Sequence, residues 1–126
     1  MTFGETRVSV RIHGPRGYVD LEMVADTGAT LTTIPAHVAR STGLVSTGSV
    51  IVKLADGTKK GISIAQAEVE VRGDKAPVRV LIGSDDQVPL LGLTSLETLG
   101  LKVNPVESVL EPAEFTLYVQ KLNNPP

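Results

Sequence analysis

The chain has 126 residues and no cysteine, its formal net charge is −2, and 41% of its residues are hydrophobic and 21% charged. These values favour one soluble domain, residues 1–126, with a single hydrophobic core. The missing cysteines exclude disulfides, thiol catalysis and cysteine-ligated zinc. A slightly acidic chain with 3% aromatic residues does not fit a nucleic-acid binder, which needs a basic surface or stacking rings.

The sequence contains no signal for a membrane or for export. No stretch approaches the roughly 20 apolar residues that a membrane span requires. The first residues, Met1–Arg7, include an acid and turn polar at once, so they lack the pattern of a signal peptide. We therefore expect a cytoplasmic protein without a membrane partner, although a piece of a longer protein would show the same pattern.

Alternation of apolar and polar residues, the period of a half-buried strand, dominates most of the chain. It predicts strands over 8–12 and 18–24, which a Gly- and Pro-containing turn at 14–17 would join as a hairpin. Asp56-Gly57 lies between two further apolar runs, and this pair is a strong hairpin signal. The other predicted strands cover residues 49–54, 61–65, 67–71, 78–82 and 101–103, with a further candidate at 114–119.

Two segments have helical character. Pro35 suits a helix start and Gly43 a helix end, so residues 34–40 are predicted to form one or two turns. The stronger prediction is Leu93–Leu99, whose leucines recur at helical spacing and which Gly100 can end. The pattern as a whole predicts an all-β fold of short strands with one helix late in the chain.

One tripeptide, Asp26-Thr27-Gly28, stands out because it follows an apolar strand directly. Gly28 permits a tight loop and a close approach by another backbone. A carboxylate at the floor of an apolar site is costly unless its charge or proton is used. The alternative is an ordinary turn, since all three residue types favour turns and the tripeptide alone is a weak motif.

Later in the chain Leu90-Leu91-Gly92 precedes the predicted helix, and the Asp-Gly hairpin lies between the two motifs. With these elements in this order, and with the segment Leu99–Pro105 after the helix, the sequence resembles the retropepsin-like aspartic proteases. The likeness is to the small single-domain prokaryotic forms and runs from about Val8 to Pro112. It implies a closed acid-protease barrel with one C-terminal helix and half an active site in each chain.

The sequence departs from the retroviral pattern at two positions. Retroviral members usually place an acid after the catalytic loop and an arginine after the late glycine, and the two form an ion pair. Here these positions hold Thr30 and Leu93. Because both charges are missing together, no unpaired charge remains. This fits a non-viral branch and argues against a dimer stabilised by that ion pair.

The resemblance implies a reaction that needs two chains. Peptide hydrolysis without a metal or a covalent nucleophile requires an activated water and an acid for the leaving nitrogen. Two carboxylates about 3 Å apart that share one proton can supply both. Since the chain has a single Asp-Thr-Gly, Asp26 would meet Asp26 of a second copy across a two-fold axis. The predicted protein is a homodimeric aspartic endopeptidase that acts on a peptide or protein and uses no cofactor or metal.

The same resemblance suggests roles for the residues around Asp26. Thr27 would lock the two active-site loops together, and Gly28 and Ala29 would bind the substrate backbone. The hairpin tip would close over an extended peptide and add main-chain hydrogen bonds through Ala55, Asp56 and Gly57. A simple connecting turn explains the tip equally well.

Other interpretations stay open from the sequence. A fold does not dictate its function, so the chain could be an inactive peptide-binding or dimerisation module of the same fold. The motif could also be a coincidence in an unrelated β domain. The alternating segment Phe115–Val119 could join an intersubunit sheet or form an edge strand within one subunit.

Overall fold

Nine strands and two short helices make up residues 5–114, the part of the chain that this computed structural model describes. The strands are β1 (Thr6–Gly14), β2 (Gly17–Asp26), β3 (Thr32–Ile34), β4 (Gly48–Lys53), β5 (Lys59–Val71), β6 (Asp74–Ile82), β7 (Leu90–Gly92), β8 (Leu101–Asn104) and β9 (Val109–Pro112). The helices are α1 (Ala36–Thr42) and α2 (Leu93–Leu99).

Six of the strands form a closed ring. They follow one another in the order β1-β2-β7-β3-β6-β5, and β1 pairs again with β5 to complete the circle. Strand β4 is attached to β5 outside the ring, and β8 and β9 form a separate pair. The pairs β2–β7 and β3–β6 are parallel. The predicted all-β fold with a closed barrel and a helix near its C-terminal end is confirmed.

Alternating side chains of the ring strands fill the barrel. On β1, Val8, Val10 and Ile12 are all buried, and Ile12 is fully enclosed. The neighbouring strand β5 and the helix α2 contribute Val69 and Leu96 to the same core. Burying a side chain of this kind contributes about 1.5–3 kcal/mol, so the core accounts for much of the stability of the ring.

The structure differs from the sequence prediction in three places. Strands β3, β7 and β9 were not predicted, because segments of three or four residues are too short to display a clear period. The predicted strands 61–65 and 67–71 are one continuous strand, since Gln66 keeps the register by pairing with Arg79. In the last predicted strand, Glu114 lies outside any strand and 115–119 lie outside the described residues.

Candidate active site

Asp26 is the last residue of β2, at the point where this strand meets β7. The two strands run parallel, and Asp26 lies opposite Gly92. Just before this point the Val24 N–H donates to the Pro89 carbonyl over 3.0 Å. Asp26 is half-buried, whereas the next two residues are exposed. The carboxylate therefore lies at the open end of a strand that is anchored in the barrel.

The loop after β2 folds back onto the carboxylate. The Gly28 N–H donates to Oδ1 of Asp26 over 2.9 Å, and the Ala29 N–H donates to the Asp26 carbonyl over 3.2 Å. A Cβ at Gly28 would lie 3.2 Å from the same carboxylate oxygen, which is a tight contact. The loop thus orients the Asp26 side chain and uses only one of its two oxygens for this purpose.

The same loop is tied to the start of α2. The Leu93 N–H donates to the Ala29 carbonyl over 2.8 Å. The carbonyl of Thr30 accepts from both the N–H and the hydroxyl of Thr94, over 3.1 and 2.9 Å. These N–H groups belong to the first turn of the helix and have no partner within it. Neutral hydrogen bonds therefore join loop and helix at Thr30 and Leu93, the positions where retroviral members carry the ion pair.

Gly92 packs directly against the backbone at Leu31. A Cβ at position 92 would lie 2.4 Å from the Leu31 carbonyl carbon, so no larger residue fits without a shift of the main chain. The Gly92 N–H donates to the Thr32 hydroxyl over 3.0 Å, and this hydroxyl lies 2.6 Å from that of Ser95. Both hydroxyl residues are fully buried. The sequence patterns do not indicate this network, and its one signal in the sequence is a polar residue inside each apolar stretch.

Thr27 is exposed at the edge of an apolar groove of about 410 Å³. Leu93, whose exposed fraction is 37%, lies on the same groove. The other lining residues come from α2, from β8 and from the segment after β9, and they are Leu96, Glu97, Leu101, Lys102, Val103, Ala113 and Glu114. The Asp26 loop thus borders a surface that combines a hydroxyl group with apolar side chains.

The predicted hairpin tip is a turn between β4 and β5, and Ala55 at its crest is exposed. The Gly57 N–H donates to the Leu54 carbonyl over 2.9 Å, and φ of +88° at Gly57 favours glycine. Oδ1 of Asp56 accepts from the Thr58 hydroxyl and N–H over 2.6 and 2.9 Å, and these bonds lower the pKa of Asp56. The tip is therefore a self-contained turn, and its closure over Asp26 stays a prediction.

The two histidines are each close to an acid rather than to one another. His13 lies 2.7 Å from Glu70, and His37 lies 3.8 Å from Asp85. Within residues 5–114 no group of three or more acidic or histidine side chains could hold a metal ion. Across the same range, neither helix has the length and apolar character needed to cross a membrane.

Comparison with known proteins places this geometry in a family. A family model described as gag-polyprotein putative aspartyl protease matches residues 8–98, well over half of the chain. No curated protein matches the sequence. Among solved structures, EIAV protease complexed with the inhibitor HBY-793 is 18% identical, with a TM-score of 0.61, over 88% of this chain and 91% of the protease chain. At this identity the likeness shows the fold alone. With a closed barrel in common and a family match over most of its length, the chain belongs to the retropepsin-like aspartyl protease family.

Proposed function

We propose that the protein is an aspartic endopeptidase that acts as a homodimer, with Asp26 of each copy as its catalytic residue. The observation that carries the proposal is the position of the single Asp-Thr-Gly carboxylate. It lies half-exposed at the end of a barrel strand and is oriented by the Gly28 N–H, in a chain of the aspartyl protease family. One carboxylate supplies half of the acid and base chemistry, so a second copy must supply the rest.

The reaction follows from two carboxylates that share one proton. The ionised Asp26 takes a proton from a water molecule, and the protonated Asp26 donates a hydrogen bond to the scissile carbonyl. The water oxygen attacks the carbonyl carbon and a tetrahedral diol forms. A proton then passes to the amide nitrogen, the C–N bond breaks, and the products are a free carboxyl and a free amine.

The surface around Thr27 supports a dimer that forms at the Asp26 loop. Thr27 is exposed, and its hydroxyl could bond across the two-fold axis to the loop of the second copy. The adjoining groove, with Leu93 on its edge, offers the apolar area that a partner would cover. A two-fold interface uses the same patch on both copies, so the Asp26 loop of each copy would supply one half of a shared site. This dimer would not depend on the retroviral ion pair.

Substrate binding is assigned to the two segments that flank the carboxylate. The exposed Gly28 would offer its carbonyl to the peptide backbone, and Ala29 would line the same path. The hairpin tip of Ala55, Asp56 and Gly57 would lie over the peptide as an added strand-like element. Hydrogen bonds within the turn hold the shape of the tip. The tip can therefore keep this shape in the free protein without contacting the Asp26 loop.

The decisive experiment replaces Asp26 by asparagine. Asp26→Asn keeps the size of the side chain and an oxygen for the Gly28 N–H, but it removes the acid and base function. We expect cleavage of an unfolded protein substrate to fall by about 10²–10⁴-fold with no change in melting temperature. Asp74→Asn, an exposed aspartate at the start of β6, is the matched control and should cleave normally. If the Asp26→Asn protein cleaves as fast as the parent, the proposal is wrong.

Two further measurements separate an enzyme from a binding module. Specific activity should fall on dilution because a monomer holds half a site, and the pH profile should be bell-shaped because the pair must hold one proton. Tight peptide binding without cleavage at any pH from acid to neutral would instead favour the inactive module.

A further inference from the structure

The two-residue turn between β5 and β6 holds an arginine in a backbone conformation that this residue rarely adopts. Val71 pairs with Asp74, so Arg72 and Gly73 form the turn. Both have a positive φ, +55° at Arg72 and +87° at Gly73. Asparagine followed by glycine is the usual choice for such a turn, because asparagine tolerates a positive φ better than most side chains. Local turn chemistry therefore does not account for an arginine at this position.

The side chain of Arg72 makes a long-range contact. Its Nη2 donates to the carbonyl of Leu110, a buried residue of β9 that lies 38 positions further along the chain, over 3.0 Å. Among residues 5–114 no ion pair involves Arg72. A hydrogen bond from a charged donor is stronger than a neutral one. A strained residue with such a contact points to a role for the contact.

The bond from Arg72 holds the hairpin of β8 and β9 against the barrel. Leu110 lies opposite Val103 in this hairpin, and both side chains pack on the hydrophobic core. Strand β9 lies beside β1, and β8 lies beside α2. Apolar packing is non-directional, whereas a hydrogen bond has a preferred length and angle. Arg72 therefore fixes the position of the hairpin from its β9 side.

The β8 side of the same hairpin forms one wall of the groove beside Thr27. The lining residues that belong to the hairpin or follow it directly are Leu101, Lys102, Val103, Ala113 and Glu114. Thr27 and the helix α2, with Leu93 at its start, line the other side of this groove of about 410 Å³. A displacement of the hairpin would therefore change the shape of the surface that a second copy is proposed to cover.

We propose that Arg72 is a positioning residue for the homodimer, because its bond to Leu110 keeps the β8–β9 hairpin where a second copy can pack on the groove beside Thr27. The inference rests on the proposed function, which places the dimer interface at this groove. Arg72 does not line the groove itself and acts through β9. Both copies must hold the hairpin in place, so a loss of about threefold in the binding-competent fraction of each raises the dissociation constant of the dimer about tenfold.

The test is Arg72→Asn, which suits the backbone of the turn and removes the bond to Leu110. We expect the dissociation constant of the dimer, measured by sedimentation velocity, to rise about tenfold. Specific activity should reach half of its maximum at a protein concentration about tenfold higher than in the parent. The maximum itself should equal that of the parent, because the assembled dimer contains an unchanged site.

Three further variants separate the bond from the turn and from the charge. Arg72→Lys keeps a donor on a long side chain and should restore most of the dimer affinity that Arg72→Asn loses. Gly73→Ala strains the same turn but leaves the arginine in place, so it should retain the parent dissociation constant. Arg79→Gln removes the same charge from an exposed position on β6 and should also retain it.

Sedimentation requires no catalysis, which keeps this inference separate from the proposed function. The comparison of Arg72→Asn with the parent is repeated on the Asp26→Asn protein, in which self-cleavage is not expected to disturb the measurement. If the parent forms a dimer that cleaves no protein substrate, and Arg72→Asn weakens this dimer, the proposed peptidase activity fails and the inference stands.

The remaining outcomes overturn the inference. An unchanged dissociation constant in Arg72→Asn would do so while the proposed function stands. Equal losses of affinity in Arg72→Asn and in either Arg72→Lys or Gly73→Ala would do the same, because the bond would not be the cause. Failure of Arg72→Asn to fold, or a lowered maximum activity, would show that the arginine supports the fold itself. A parent that stays monomeric at all concentrations would overturn both proposals.

Discussion

The loop at Asp26 and the tip of the β4–β5 hairpin flank the same proposed site but are held in different ways. The loop is fixed by buried tertiary contacts, namely the packing of Gly92 on Leu31 and the hydrogen bonds around Thr32. The tip is held by bonds within its own turn, such as that from the Gly57 N–H to Leu54. The Asp26 carboxylate, the proposed catalytic group, is thus placed by the core, whereas the hairpin tip, the proposed cover over the substrate, is a local structure.

This difference has an energetic meaning. Segments with few buried contacts open at a lower free energy than segments built into a core, and lids of active sites are drawn from the first kind. A change beneath the Asp26 loop should therefore appear first as lost stability. A change at the hairpin tip should appear first as lost activity, with the barrel intact.

The largest loss of stability is expected from Gly92→Ala, beneath the Asp26 loop. Its methyl group would lie 2.4 Å from the Leu31 backbone, which cannot move without disturbing β3. We expect the free energy of unfolding to fall by about 3 kcal/mol or more, with loss of cleavage. The control is Gly61→Ala in the hairpin, where the nearest atom to the new methyl group is 4.0 Å away. Urea denaturation should show a change of less than about 1 kcal/mol for this control. Similar losses in both variants would contradict the comparison.

A smaller effect is expected from Thr32→Val, which keeps the shape of the side chain and removes its hydroxyl. The buried Gly92 N–H and Ser95 hydroxyl then lose their partner. We expect a loss of about 2 kcal/mol in the free energy of unfolding. Adding Ser95→Ala removes one of the two unpaired groups, so the double variant should lose less than the sum of the single changes. Additive losses in denaturation experiments would show that the two hydroxyls are not coupled.

At the hairpin tip the test is Gly57→Ala. φ is +88° there and no atom lies within 4 Å of the added methyl group, so the change strains the backbone by about 1 kcal/mol without a clash. We expect kcat/KM to fall up to about tenfold, because the strain would distort the part of the turn that is proposed to cover the peptide. Gly73→Ala in the β5–β6 turn has φ of +87° and equal space, and it should leave cleavage unchanged. Equal activity of the two variants would argue against a role of the tip in substrate binding.

The smallest effect concerns the seam between β1 and β5, away from both regions. The hydrogen bond from His13, 2.7 Å long, holds the pKa of Glu70 below its ordinary value. A carboxyl whose pKa is lowered in the folded state stabilises the fold at pH values above its ordinary, unfolded-state pKa. This stabilisation is lost as the pH falls through the folded-state pKa. Glu70→Gln should therefore lower the melting temperature slightly at neutral pH and have no effect in acid. A difference from the parent that grows on acidification would contradict the assignment.

Several features of the fold could be predicted because short patterns in the sequence indicate them. Alternation along β1 and β2 predicts both strands and their hairpin, and the Asp-Gly pair predicts the turn between β4 and β5. The leucines of α2 recur at helical spacing, and Gly100 ends the helix with φ of +69°. The order of Asp26-Thr27-Gly28, hairpin and Leu90-Leu91-Gly92 predicts the family. The strand, turn and helix signals depend on residues that are close together in the chain, whereas the family signal depends on the order of motifs that are far apart.

The sequence by itself thus determined the strand periods, the turn chemistry and the presence of one Asp-Thr-Gly in a retropepsin-like chain. Only the tertiary structure decided that β3 and β7 are strands, because three-residue segments gain their order from the neighbours with which they pair. It also decided which polar residues lie beneath the Asp26 loop. Thr32 and Ser95 are far apart in sequence, and their hydroxyls meet because closure of the barrel brings β3 and α2 together.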